Sequence, residues 1–361
     1  MINFDESQLQ YCRNILDSSG NCIIAGSAGT GKSILAKFLF IYFRAQKRGN
    51  PRLFMYNKPL CTYLQDQFSE DDRSFIQTFD YWIYNYVTHS PYADAKISGI
   101  MNKINKNFTP KKKYNAIIID EAQDISHLLL ALFRNYSDRI ICFIDPNQAI
   151  QKEKTDVSAI QQILNVPTVL QLTQNYRNPQ GIIDAARPFW NGESVFPAQS
   201  KIKSAIKPFL HNTYNGNGAI EQILNIICNN SDKKIGVFLN SSELENFGNA
   251  LRNNGINNLQ IYTNDRNSPR RFDFSKNDVF LLSFGTMKGL EFDIVILPRI
   301  GRIKKQPFVE TNPDADKNVI YTAMTRAKEE LHIFAWHDKP ADKYIDAEAL
   351  IFKNRQFFQI A

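Results

Sequence analysis

The chain has 361 residues, of which 43% are hydrophobic and 22% charged, and its 43 Lys and Arg against 36 Asp and Glu give a formal net charge of +7. These proportions exclude a disordered, fibrous or collagen-like protein, and the length predicts two domains, each large enough to bury a core. The positive balance admits a nucleic-acid partner without requiring one. Five scattered cysteines, Cys12, Cys22, Cys61, Cys142 and Cys228, form no CxxC pair, so neither a disulfide framework nor a zinc site is expected. No apolar run reaches the roughly 18 residues of a membrane span, and the opening MINFDESQ is too acidic and polar for a signal peptide. A soluble chain in a reducing, cytoplasmic setting, with no membrane partner, is the expectation.

In chain order, Asn21 to Ala25, Arg52 to Tyr56, Ala116 to Ile119 and Ile140 to Ile144 are near-continuously apolar and read as strands buried on both faces. Ser33 to Phe43 and His127 to Arg134 read as helices between them. The polar stretch from Gln151 begins a passage, 151–166, from a first domain of residues 1–150 to a second of 167–361. In the second, Val169 to Leu172, Ile235 to Leu239, Leu259 to Tyr262, Val279 to Phe284, Ile294 to Leu297 and Leu331 to Trp336 read as strands. Glu221 to Cys228, Glu243 to Asn253 and Asn318 to Lys328 read as helices. The alternation predicts an α/β fold with two parallel sheets.

Two motifs carry chemistry. Gly26 to Ser33 reads GSAGTGKS and follows a strand at the start of a helix. In that context Gly26, Ala28, Gly29, Thr30 and Gly31 form a loop whose backbone N–H groups face phosphate oxygens. Lys32 would neutralise the β and γ phosphates, and Ser33 would ligate Mg²⁺. Ile117 to Asp124 reads IIIDEAQD, an apolar strand delivering two carboxylates at its C-terminal end. Asp120 there would hold Mg²⁺ and Glu121 would orient and deprotonate a water.

DEAQD downstream of GSAGTGKS resembles the superfamily 1 helicases of the UvrD/Rep type, and further motifs follow in that family's order. Phe4 to Gln8 (FDESQ) resembles its adenine-reading entry, with Gln8 at the glutamine. Asp145 to Gln148 (DPNQ) resembles GDxxQ, which implies Gln148 near the γ-phosphate. Asn175 to Arg177 (NYR) implies Tyr176 on the adenine and Arg177 at the γ-phosphate. Lys288 to Asp293 (KGLEFD) implies nucleotide contacts from Gly289 and Glu291, the latter to the ribose. Tyr321 to Ala327 (YTAMTRA) implies Arg326 as a second phosphate-sensing arginine. Tyr56, Asn57 and Lys58 in YNKPL, Thr78 and Phe79, and Ser283 are implied as single-strand contacts. The resemblance runs from residue 4 to 334. It implies two RecA-like domains of the P-loop NTPase class, ATP and Mg²⁺ bound in the cleft between them, and a single-stranded DNA track, with RNA left open.

The chain also departs from the family pattern. Relatives carry helical subdomains between Phe79 and the DEAQD motif and between Arg177 and Lys288. Here the first interval leaves only a small insertion at about 80–113, and the second must also supply core strands. The family's aromatic–arginine pair after GDxxQ is replaced by Ala149 to Lys154, its histidine before KGLEFD falls at Gly285, and its arginine after the phosphate-loop hydroxyl is Ile34. Losing one stacked base forfeits about 1–3 kcal/mol. Basic clusters at Lys111 to Lys113, Arg266 to Arg271 and Arg302 to Lys305 read as solvated charge or phosphate contacts, and Tyr81, Trp82, Tyr84 and Tyr86 as core packing or base stacking. Two functions therefore stay open. One is a translocase or helicase. The other is an ATPase switch serving a partner, such as a nuclease in DNA repair or phage defence, without autonomous unwinding.

Overall fold

The computed structural model describes residues 4–46, 49–56, 58–85, 114–150, 155–190, 192, 199–204, 206–213, 216–262, 273–306, 312–336 and 342–361. The chain divides into two compact units, residues 1–173 and 174–361.

The first unit contains α1 (Glu6–Asp17), β1 (Cys22–Gly26), α2 (Lys32–Ala45), β2 (Arg52–Met55), α3 (Lys58–Gln65), α4 (Glu70–Arg73), β3 (Ile76–Thr78) and α5 (Phe79–Ile83). It continues with β4 (Ile117–Ile119), α6 (His127–Tyr136), β5 (Ile140–Ile144), α7 (Val157–Leu164) and β6 (Val169–Leu172). The strands form one parallel sheet in the order β3-β2-β4-β5-β1-β6. Polar side chains cap the N-termini of three helices. Asp5 and Gln8 form a reciprocal capping box at α1, Ser126 caps α6, and Asp156 caps α7 through the Ala159 N–H at 2.7 Å. Asn21 closes the entry to β1, donating to the Leu164 carbonyl at 2.9 Å and accepting the Ile140 N–H at 2.8 Å. On one side of the sheet Phe54 stacks with Phe133 at 4.7 Å and with Phe79 at 5.5 Å, and Trp82 meets Phe133 edge-on at 5.1 Å. Trp82 is fully buried and donates its indole N–H to the Tyr114 hydroxyl at 3.1 Å.

The second unit contains β7 (Gln174–Asn175), α8 (Gln180–Ala186), β8 (Gln199–Ser200), β9 (Phe209–Asn212), α9 (Gly216–Asn229), β10 (Ile235–Leu239), α10 (Leu244–Asn253) and β11 (Leu259–Ile261). It ends with β12 (Val279–Ser283), β13 (Phe292–Leu297), α11 (Ala315–Met324), β14 (Ala327–Ala335), α12 (Ala347–Lys353) and β15 (Gln359–Ile360). Its main sheet is parallel, in the order β11-β12-β10-β13-β14-β9-β15, and β7 pairs with β8 apart from it. Ala219, Ile223 and Ile227 of α9 and Leu244 and Leu251 of α10 pack with Val237, Leu281, Ile296 and Phe334 in the core.

Two sequence expectations are corrected and two features are added. Val169 to Leu172 is the strand β6, but it pairs with β1 and belongs to the first sheet, so the first unit runs on to Thr173 rather than ending near residue 150. The helix expected over Asn318 to Lys328 stops at Met324, because Ala327 onward pairs with β13. Of the described residues in the aromatic run, read as core packing or base stacking, Trp82 enters the core and Tyr81 and Tyr84 are exposed. The strands β3, β9 and β15 were not expected, since short strands at or next to a sheet edge lack the long apolar run of a central one. The basic clusters 111–113 and 266–271, Tyr86, Asn57 and most of the expected insertion lie outside the described residues.

On the neighbouring strands β14 and β9 two buried histidines form a polar chain. His211 Nε2 lies 3.0 Å from His332 Nδ1, whose Nε2 lies 3.0 Å from Glu330 Oε2. Phe209 stacks on His332 and Phe334 on His211. Burial, and then the neighbouring His332, pull the His211 pKa from 6.5 to about 4. Between those values the unfolded chain takes up a proton that the folded one refuses. Stability is therefore full above about pH 6.5 and falls as the pH drops toward 4, by up to about 3 kcal/mol. Urea midpoints at pH 7.5 and 5 should separate in the wild type and draw together in His211→Gln.

Candidate active site

Three neighbouring strands of the first sheet, β4, β5 and β1, end side by side, and their C-terminal turns carry the expected motifs. After β1 the phosphate loop reaches α2 through Gly29 at φ 76° and Gly31 at φ 86°, backbone that residues with a Cβ rarely adopt. A Cβ on Gly31 would lie 3.1 Å from Gln8 Nε2, so Gln8 of α1 abuts the loop. Thr30 Oγ1 donates to the Ser27 carbonyl at 2.8 Å and braces the turn. Lys32 is buried, donates to the carbonyls of Gly26 at 2.7 Å and Ser27 at 3.0 Å, and lies 3.7 Å from Asp145 Oδ2.

After β4 come Asp120 and Glu121, both buried. Ser33 Oγ donates to Asp120 Oδ2 at 2.6 Å, which joins the phosphate loop to the acid pair. Burial and the charge of Glu121 raise the Asp120 pKa well above the ordinary carboxylate range, against the pull of Ser33 and Lys32. Glu121 sits at φ 58°, a left-handed backbone unusual outside glycine, and caps no helix with its side chain. Gln123 was not singled out from the sequence. Its Nε2 donates to Glu121 Oε2, its Oε1 accepts the Asp145 N–H at 3.1 Å, and its carbonyl accepts the Thr155 N–H at 2.9 Å. After β5, Gln148 Nε2 donates to Asp145 Oδ2. Burial raises the Asp145 carboxyl, opposed by Lys32 and this hydrogen bond. The first unit thus brings together Gln8, the loop 26–33, Asp120, Glu121 and Gln148. Asp145 and Gln123 link them, and both were visible only as polar letters inside DPNQ and DEAQD.

The second unit brings together Arg177, Glu291 and Arg326. Arg177 Nη2 donates to Glu291 Oε1 in an ion pair. Desolvation pushes the Glu291 carboxyl up, but Arg177, then Arg326 and Lys328, hold it below the usual glutamate range. Gly289 turns the KGLEFD segment at φ 73°, and the Phe292 N–H donates to the Arg326 carbonyl at 3.1 Å. Arg326 is fully buried, with Nε donating to the Thr322 carbonyl at 3.1 Å. Tyr176 is half-buried.

The expected single-strand contacts are scattered in kind. Thr78 caps α5, accepting the Tyr81 N–H at 3.3 Å, and Phe79 packs into the core on Phe54, so its ring face is committed to protein. Tyr56 is half-buried and Lys58 exposed at the start of α3. Ser283 is buried and faces Thr286 at 3.1 Å. In the Arg302 to Lys305 cluster, Arg302 lies over the Tyr344 ring, while Lys304 and Lys305 are exposed. No described helix is long and apolar enough to cross a membrane.

Dbp5 of Saccharomyces cerevisiae, solved bound to RNA and ADP–BeF3, is similar over 99% of this chain and 88% of that chain, with 11% identity and a TM-score of 0.55. A Dbp5 variant bound to ADP and other proteins is similar over 99% and 90%, with 13% identity and a TM-score of 0.52. The C-terminal domain of a possible DNA helicase from Lactobacillus plantarum WCFS1 matches 51% of this chain and 98% of that chain, at 19% identity and a TM-score of 0.36. No curated protein matches the chain. The two parallel α/β units are RecA-like domains. Residues 19–201, half of the chain, match the family described as Schlafen group 3, DNA/RNA helicase domain, and residues 238–338 match the UvrD-like helicase C-terminal domain. The chain therefore belongs to the Schlafen group 3 DNA/RNA helicase-domain family, and its match to the UvrD-like helicase C-terminal domain over residues 238–338 bears out the superfamily 1 resemblance of its motifs.

Proposed function

We propose that the chain is an ATP hydrolase that drives movement along single-stranded nucleic acid, with DNA as its track. The observation that carries this reading is the convergence of Lys32, Ser33, Asp120, Glu121 and Gln148 at the ends of three adjacent strands. The phosphate loop binds the triphosphate, Lys32 neutralises its β and γ phosphates, and Gln8 reads the adenine beside the loop. Glu121 takes the proton of the attacking water, and Gln148 answers to the γ-phosphate. Ser33 and Asp120 offer two hard oxygens 2.6 Å apart, a donor pair that fits Mg²⁺ sharing its remaining sites with phosphate and water. Mg²⁺, when bound, supplies charge neutralisation at the β and γ phosphates. In the second unit, Arg177 and Arg326 serve as arginine fingers, Glu291 contacts the ribose and Tyr176 packs on the base. Arginines that answer to the state of the γ-phosphate are what couples hydrolysis to motion in this reading.

A second reading, the ATPase switch serving a protein partner, is favoured by one observation. Phe79, a candidate base platform, is spent on the core. ATP turnover measured on a length series of single strands separates the two. A translocating motor gives stimulation that rises with strand length, and an end-labelled strand reports its arrival. Turnover equal on every length and with no strand favours the switch.

A further inference from the structure

Arg177 and Arg326 lie far apart in sequence, yet one side chain ties their turns together. Asn178 follows Arg177 directly and is fully buried. Its Nδ2 donates to the Thr325 carbonyl at 3.0 Å and to the Ala327 carbonyl at 2.6 Å, the carbonyls on either side of Arg326. Its Oδ1 accepts from Asn175 Nδ2 at 3.1 Å, so both donors and the acceptor of the carboxamide are used. The network also fixes the amide's orientation, since the reverse would point its oxygen at two carbonyls. Asn175 completes the bracket, its Oδ1 accepting the N–H groups of Arg177 at 2.9 Å and Asn178 at 2.8 Å. The backbone of one arginine is thus clamped to the backbone flanking the other, through a buried pair of asparagines.

We propose that Asn178 is a positioning residue for the arginine pair, holding the Arg326 turn in register with the Arg177 turn so that both guanidiniums meet the same phosphate. The inference rests on the reading of those arginines as fingers. Preorganised charge stabilises a transition state only where it is held in place, and a misplacement of about 1 Å can lower a rate by about 10²-fold. A serine would offer one donor, and an aspartate of the same shape would set a carboxylate against two carbonyls.

The test is a double-mutant cycle on the full chain, reading kcat and KM for ATP with single-stranded DNA present. Asn178→Ala should lower kcat by about 10- to 100-fold while KM stays within about threefold. In an Arg326→Ala background the same substitution should cost less than about twofold, because the residue it acts through is gone. Asn178→Asp, which keeps the volume, should reproduce the kcat loss with the thermal midpoint above assay temperature. Independent, multiplicative losses in the cycle, or equal changes in kcat and KM, would overturn the proposal. Unfolding of both variants at assay temperature would also overturn it, leaving Asn178 a structural residue. Wild-type turnover in Arg177→Ala and Arg326→Ala would overturn the finger reading and this inference together. Loss in those two with Asn178→Ala unaffected would remove this inference alone.

Discussion

Glu121→Gln is expected to lower ATP turnover by about 10³-fold or more while ATP and Mg²⁺ still bind. The substitution keeps the side chain's size and its capacity to accept from Gln123 Nε2, so the turn at φ 58° should persist. It removes the basic carboxylate, and with it the acceptor for the water's proton. Lys32→Ala should also abolish turnover, but through binding. Its ammonium is buried between the Gly26 and Ser27 carbonyls and 3.7 Å from Asp145, aimed where phosphate charge would gather. The two variants therefore separate. A fluorescent ATP analogue should bind Glu121→Gln nearly as well as wild type and Lys32→Ala far more weakly, while phosphate release is lost in both. Retained hydrolysis in both would contradict the site assignment.

Arg177→Ala should lower turnover by about 10³-fold, with only a modest loss of nucleotide affinity. An arginine finger offsets charge that develops during transfer, so its removal falls on kcat. In this structure Arg177 is paired with Glu291, and that pair must open or be shared when the guanidinium turns to phosphate. Arg177→Lys should recover little, since a point charge on a flexible stem cannot reproduce the planar fork. A change of less than threefold in Arg177→Ala would leave the residue as the structural partner of Glu291.

Much of this site was legible in the sequence because its chemistry is local. GSAGTGKS and DEAQD each place their working residues on one turn, and the apolar strands before them identify those turns as C-terminal ends of a buried sheet. What the sequence withheld was contact between distant turns. Gln123 reaches Asp145 and Asn178 reaches Thr325 and Ala327 through hydrogen bonds that no periodicity records. The same limit applies to the fold. Central strands such as β1 and β5 announce themselves as continuous apolar runs. The strand β6 was found by its residues, but its partner is decided by packing around β1, which put it in the first sheet. Phe79 shows the reverse case, a residue matching a nucleic-acid motif whose ring is held by Phe54.

A DNA-driven motor is tested first by steady-state ATP turnover of the chain, alone and with single-stranded DNA, single-stranded RNA or duplex DNA, across a salt series. Turnover should depend on Lys32 and Glu121, rise many-fold with single-stranded DNA, and lose that stimulation as salt displaces the phosphate contacts. Turnover that ignores every polymer, or that survives both substitutions, would contradict this reading.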